Sequence, residues 1–167
     1  TLGAEPAIAS GPLEAQIHFE GRTDEELVVA AVANLEADED FIARLGQELK
    51  LNAVDFVVVV GDLTVNGSVS EAERVKAYLD QHVEMPWFAT LGDRDVDGNL
   101  GVEYLGLFGS ASMAFDVNGV RLVLLDSANG GLKETDELLD LWISDQALDG
   151  TGFEPLQHLV FTHYPPF

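Results

Sequence analysis

Carboxylates, an amide and an imidazole follow closely on four short apolar runs of the chain. Asn34-Leu35-Glu36 follows Leu27–Ala33, Gly61-Asp62 follows Phe56–Val60, Gly92-Asp93-Arg94-Asp95 follows Trp87–Thr90, and His163 follows Leu159–Thr162. Strands of an open α/β sheet gather ligands at their carboxyl ends, so four such ends would deliver these groups to one edge. Hard oxygen donors joined by nitrogen suit Mn²⁺, Fe²⁺, Mg²⁺ or Zn²⁺. A second pattern overlaps the third run. Asp93-x-Asp95-x-Asp97-Gly98, continued by Asn99 and Leu100, matches the start of a calcium-binding loop, with oxygen donors at alternate positions and Gly at the sharp turn. Its end does not match, because Tyr104 stands at the twelfth position and Glu103 falls one short.

Each of these residues also has a plainer role open to it. Asp62 can start a turn or cap a helix. His163, before two prolines, can be a structural histidine. Asn34 and Glu36 can simply end a strand. Arg94 can pair with Asp93 or Asp95, and Asp95 and Asp97 can form a polar turn with Gly98. No motif surrounds His18, His82 or His158, which read as structural or surface residues, and Trp87 and Trp142 read as core.

The elements that must position the site follow from periodicity. Residues 1–26 form a lead-in, with weak strand alternation at Leu13, Ala15, Ile17 and Phe19, and residues 27–167 form one domain. Leu27–Ala33 predicts a strand buried on both faces. Asp38–Lys50 predicts a helix with Phe41, Leu45 and Leu49 on one face. Phe56–Val60 is an uninterrupted β-branched strand. Ser70 and Glu73 have capping-box spacing and open a helix whose stripe is Ala72, Val75 and Leu79. Trp87–Thr90 is a third strand, completing the alternation of a parallel α/β sheet. Beyond it, Met113, Phe115 and Val117 alternate, Asn118-Gly119 turns, and Val120, Leu122 and Leu124 alternate again, which predicts a hairpin. Thr135–Leu148 predicts a helix and Leu159–Thr162 a last strand.

VVVVGDLTVNG (Val57–Gly67), WFATLGDRD (Trp87–Asp95), MAFDVNGVRLVLLDS (Met113–Ser127) and HLVFTHYPPF (His158–Phe167) together resemble the calcineurin-like metallophosphoesterases, in order from about Leu27 onward. The resemblance implies an α/β fold, a two-sheet sandwich flanked by helices. It also implies a phosphate-ester hydrolase in which metal-bound hydroxide attacks phosphorus. It places Asp62 at the family's metal-bridging Asp and His163 at a metal-binding His. Asn34 and Glu36 fall at the family's Asp-x-His, and Asp93 and Arg94 at the Asn and His of its Gly-Asn-His-Asp. Asn34, Glu36 and Asp93 keep oxygen donors. Arg94 cannot serve as the general acid, because its pKa stays above about 12, but it can clamp a phosphate by charge. The closing Gly-His-x-His has no counterpart before Phe167, which implies an incomplete C-terminal part and one metal site rather than two. The implied cofactor is a divalent metal (Mn, Fe, Zn or Mg), or Ca through the Asp93–Asp97 loop. The alternative to a weakly active or inactive hydrolase is a binding scaffold on the same fold.

Composition narrows the partners. Eight basic residues against 30 acidic ones leave a net charge of −22 over 167 residues. That charge argues against nucleic-acid backbones as stable partners and against anionic membranes. No apolar run approaches the roughly 20 residues of a spanning helix. The absence of Cys excludes disulfides and thiol catalysis within this sequence. A start at Thr1 leaves room for a cleaved leader, and a secreted or periplasmic location is slightly favoured over others. A second sheet short of strands would leave an edge for self-association or a partner chain to cover. The small-molecule partner expected is a phosphate ester.

Overall fold

Strand β2 (Phe56–Val60) organises the molecule, because both of its faces are buried. A computed structural model describes residues 27–117, 119–131 and 157–165. Val57 and Val59 enter a core shared with helices, whereas Phe56 and Val58 enter a second core shared with another sheet. An uninterrupted β-branched run is what such a position demands, since a strand covered on both sides has no solvent face to mark.

β2 lies between β1 (Val29–Val32) and β3 (Trp87–Thr90), and both pairings are parallel. The crossovers are α1 (Glu39–Leu51) and α2 (Val69–His82). Asp38 caps α1, its carboxylate accepting the Phe41 N–H at 2.9 Å. The buried line of α1 is Ile42, Gly46 and Leu49, with Phe41 and Leu45 half-buried beside it. α2 buries Ala72, Val75 and Leu79 as expected. Its cap differs from expectation. Ser68, not Ser70, accepts the Glu71 N–H, so the helix starts two residues earlier. Ser68 and Glu71 have the same spacing as Ser70 and Glu73, and the earlier pair wins because the Glu71 carboxylate also accepts the Val65 N–H. β1 is half-buried, with Ala31 exposed, rather than covered on both faces. Among the described strands it ends the sheet, whereas β2 and most of β3 are buried on both faces.

After β3 come a single helical turn, α3 (Asp93–Val96), and α4 (Leu100–Phe108). The second sheet has the order β4-β5-β6, from Met113–Val117, Val120–Leu125 and Gln157–Thr162. β4 and β5 form the expected antiparallel hairpin with Val117 opposite Val120, and β6 adds in parallel to β5. Met113, Phe115, Val117, Leu122 and Leu124 face the first sheet across Phe56, Val58 and Phe88. Phe115 meets Phe88 at 4.9 Å and Phe56 at 5.8 Å between ring centroids. The described layers are thus helices on one sheet and that sheet on another, a mixed α/β arrangement with two small open sheets. β6 ends its sheet among the described strands and leaves Leu159 and Val160 exposed. Among the described residues no helix is long and apolar enough to cross a membrane. The lead-in, the Thr135–Leu148 helix, Trp142, His18 and Asn118 of the hairpin turn lie outside the described residues.

Candidate metal centre

The carboxyl ends of β1, β2, β3 and β6 carry the site. Beyond β2 the chain turns through Gly61 and Asp62, with φ of +77° and +53°. Gly61 cannot carry a side chain, because a Cβ there would lie 2.6 Å from Nδ1 of His163. Gly92, after β3, is bound in the same way, since its Cβ would lie 2.3 Å from the main-chain N and Oδ1 of Asp62. These two glycines allow three strand ends to close on one carboxylate.

The β1 end runs alongside. Asn34 and Glu36 donate main-chain N–H groups to the carbonyls of Gly61 and Asp62, each at 3.2 Å, and Ala37 donates to Leu63 at 3.0 Å. Asn34, Glu36 and Ala37 all have positive φ. The last two are the centre of a turn closed by Asp38 N–H on Leu35 carbonyl, the backbone pattern of a type I′ turn. The β3 end is fixed by Asp95, which is fully buried. Its Oδ1 accepts the Thr64 N–H and hydroxyl at 2.9 and 2.8 Å, and its Oδ2 accepts the N–H groups of Leu63 at 3.2 Å and Gly92 at 2.9 Å. This ties the β2 and β3 loops together and sets Asp93 and Arg94 on the first turn of α3.

His163 arrives from β6. Its Nδ1 lies 3.1 Å from the Val60 carbonyl, while its Nε2 lies 2.9 Å from Oδ1 of Asp93 and 3.6 Å from Oδ1 of Asp62. The main chain behind it is held by Tyr164 N–H on the Ser127 hydroxyl, at 2.8 Å. A carbonyl only accepts, so Nδ1 carries a proton. Nε2 then faces two carboxylate oxygens that also only accept. Either a proton or a metal ion must lie on that side, and a ring oriented by a carbonyl on its far nitrogen is a common arrangement for metal-binding histidine.

The titration behaviour reflects this crowding. Burial raises the Asp62 carboxyl above its ordinary value, partly offset by the Arg94 N–H and the His163 charge. The His163 hydrogen bond, aided by the Tyr164 hydroxyl, holds Asp93 below its ordinary value. Burial alone would lower His163, but the Val60 carbonyl and the two carboxylates together hold it above the ordinary imidazole value.

Asp62, Asp93 and His163 present donor atoms all within 4.8 Å of one another. With metal–ligand bonds of about 2.1 Å, neighbouring donors stand about 3.0 Å apart in octahedral and about 3.4 Å apart in tetrahedral geometry. The separations of 2.9 and 3.6 Å bracket that range. The donor set, two carboxylates and one imidazole, fits a divalent ion that accepts oxygen and nitrogen.

The other expected residues take different places. Asn34 is exposed at the β1 end. Glu36 is bound by the Arg94 guanidinium, whose Nη1 donates to its Oε1. Arg94 therefore pairs with Glu36 and, through Nε at 3.5 Å, with Oδ2 of Asp62, rather than with Asp93 or Asp95. The calcium loop is not assembled. Asp93 reaches His163, Asp95 turns inward to four donors, and Asp97 and Asn99 are exposed. Alternating spacing brings oxygens together in a loop, but here Asp93–Val96 is a helical turn that points them apart. Tyr164 beside Asp93 and the tie made by Asp95 went unread in the sequence. The Glu36–Arg94 pair had a signal, since both substituted histidine positions of the resembled family carry charges, and of opposite sign.

No family model matches the chain, and no curated protein matches it significantly.

Proposed function

We propose that Asp62, Asp93 and His163 form a divalent-metal centre serving phosphate-ester hydrolysis, on a domain related to the calcineurin-like metallophosphoesterases. The observation that carries this reading is the convergence of three strand ends on donor atoms within 4.8 Å of one another, with His163 oriented by the Val60 carbonyl. A bound divalent ion would supply an activated water and charge neutralisation at phosphorus. The chain's own residues do the rest. Val60 keeps the proton on Nδ1 of His163 and leaves Nε2 as the donor. Asp62 and Asp93 hold the negative charge that attracts a cation. Arg94, 43% exposed at its side chain, presents a fixed positive charge to which phosphate oxygens can bind.

Arg94 gives no proton to a leaving oxygen at neutral pH. Without another acid, turnover is confined to esters whose leaving group departs as a stable anion, and it is slower by about a hundredfold or more than with a general acid. The test is hydrolysis of a nitrophenyl phosphodiester and a nitrophenyl phosphomonoester with and without Mn²⁺, with Asp62→Asn as control. Mn²⁺-dependent release of nitrophenolate, lost in Asp62→Asn, is the expected result. Release that ignores Mn²⁺, or survives Asp62→Asn, refutes the reading. Absence of turnover together with Mn²⁺-dependent thermal stabilisation, itself lost in Asp62→Asn, would identify a metal-held scaffold instead.

A further inference from the structure

Asp62 meets a different side chain at each of its oxygens. Oδ1 lies 3.6 Å from Nε2 of His163, within the donor cluster. Oδ2 lies 3.5 Å from Nε of Arg94. The same guanidinium reaches on to Glu36 through Nη1. It therefore bridges two carboxylates that come from different strand ends, β1 and β2. The backbone supports this bridge, because the Glu36 N–H donates to the Asp62 carbonyl and the Arg94 N–H donates to Oδ1 of Asp62 at 3.3 Å.

Were a divalent ion held at Oδ1, Asp62 would carry a cation at each oxygen, and the one at Oδ2 is already part of the chain. We infer that the Arg94 guanidinium is the built-in second cation of the centre, so the protein takes up one divalent ion and holds Glu36 and Oδ2 of Asp62 closed to another. The inference rests on the reading of Asp62, Asp93 and His163 as a metal centre. Its chemistry is that of a guanidinium: permanently charged, planar, and able to donate to two carboxylates at once. A second divalent ion between Glu36 and Asp62 would have to displace these contacts and sit against an undischarged positive group. Removing the guanidinium leaves two unneutralised carboxylates, one of them buried, in the same place.

The test is calorimetric titration of Mn²⁺ into the full chain. One ion per chain is expected for the unaltered protein. Arg94→Ala is expected to gain a second, weaker binding event, and Arg94→Ala with Glu36→Gln to lose it again. Glu36→Gln alone should still bind one ion, because the guanidinium remains. Two ions bound by the unaltered protein, or no second event in a folded Arg94→Ala, would overturn the inference. Should Arg94→Ala not fold, Arg94→Gln gives the same comparison, and two ions in the unaltered protein would still be decisive. No Mn²⁺ bound at all would overturn the metal-centre reading itself, and the inference with it.

Discussion

Asp95→Ala is the substitution with the largest expected effect on the site's scaffold. Both carboxylate oxygens of Asp95 are used inside the fold, by three main-chain N–H groups and one hydroxyl. Alanine leaves the N–H groups of Leu63, Thr64 and Gly92 without this acceptor, in a place where Asp95 itself is fully buried. An unsatisfied buried donor costs about 1–3 kcal/mol. Three of them, eased by water entering the vacated volume, give about 3–6 kcal/mol. Against a total stability of roughly 5–15 kcal/mol, that brings the domain close to unfolding. Asp95→Asn separates charge from shape. Each oxygen accepts from two donors, so either orientation of the amide sets an NH₂ group against donors, and about 2–4 kcal/mol is expected from one lost acceptor and one donor clash. The assay is urea unfolding, read as a change in midpoint at constant slope. A loss under about 1 kcal/mol for Asp95→Ala would refute the structural role. A rise in unfolding temperature with Ca²⁺ that vanishes in Asp95→Asn would restore the calcium loop, since a carboxylate turned inward to four donors has no oxygen left for an ion.

Two further perturbations probe the second sheet and α4. Arg121 is fully buried and its guanidinium is held by Asp116, Nε to Oδ1 at 2.7 Å and Nη2 to Oδ2 at 2.9 Å. Asp116→Ala is expected to cost about 3–5 kcal/mol by urea unfolding, as is usual when one member of a buried ion pair is removed, and a change under about 1 kcal/mol would contradict the pairing. Tyr104 is buried and its hydroxyl has no hydrogen-bond partner among the described residues. Burial, and then the Asp95 and Asp126 carboxylates, hold its pKa well above the ordinary value of 10.0. The unfolded chain releases this proton near pH 10 while the folded chain keeps it, so the stability is present in full below that pH and is lost as pH rises towards the folded value. Tyr104→Phe should be neutral or stabilising by about 1 kcal/mol at pH 7 and should flatten that alkaline loss in pH-dependent unfolding. A Tyr104→Phe variant that is markedly less stable at pH 7 would show the hydroxyl to be bonded.

What the sequence made legible was governed by short-range order. The β2 run, the Ala72–Val75–Leu79 stripe, the Trp87–Thr90 strand and the register of Val117 against Val120 all follow from period and turn chemistry within a few residues. Ser68 against Ser70 was not decidable, because both stand three residues before a glutamate. The convergence of Asp62, Asp93 and His163 was visible as polar residues at strand ends. Their spacing in space depends on Gly61 and Gly92, where any side chain would strike a neighbour. The direction of a side chain was not legible. Asp93 and Asp95 are two residues apart, yet one reaches His163 and the other is enclosed, because a helical turn replaces the extended loop that the calcium pattern assumes. Nor was the partner of Arg94, since Glu36 is 58 positions away and no local rule pairs them.

The strained backbone of this protein lies largely where the carboxylates are. Asn34, Glu36, Ala37 and Asp62 are non-glycine residues with positive φ at the ends of β1 and β2, and Ala53 is the one other among the described residues. Left-handed backbone costs about 1–2 kcal/mol per residue, somewhat less for Asn and Asp. The Asp62 carboxyl adds to this, because burial opposes its ionisation. Neither feature strengthens the sheet. The three hydrogen bonds from the β1 loop to the β2 loop and the Asp95 tie hold the strain in place, and the result is a carboxylate turned toward His163 on one side and Arg94 on the other. The positive φ of Glu36 and Ala37 is what their turn requires, and Asn34 and Asp62 are of the residue types that tolerate it best. The same crowding sets the sign of any cation's effect. A positive ion among Asp62, Asp93 and Nε2 of His163 replaces a proton, relieves carboxylate repulsion and leaves the Val60 hydrogen bond intact. Binding at the proposed centre should therefore stabilise the fold and release a proton, as read by thermal unfolding and by proton release on titration, and an ion that binds this protein while doing neither would refute that placement.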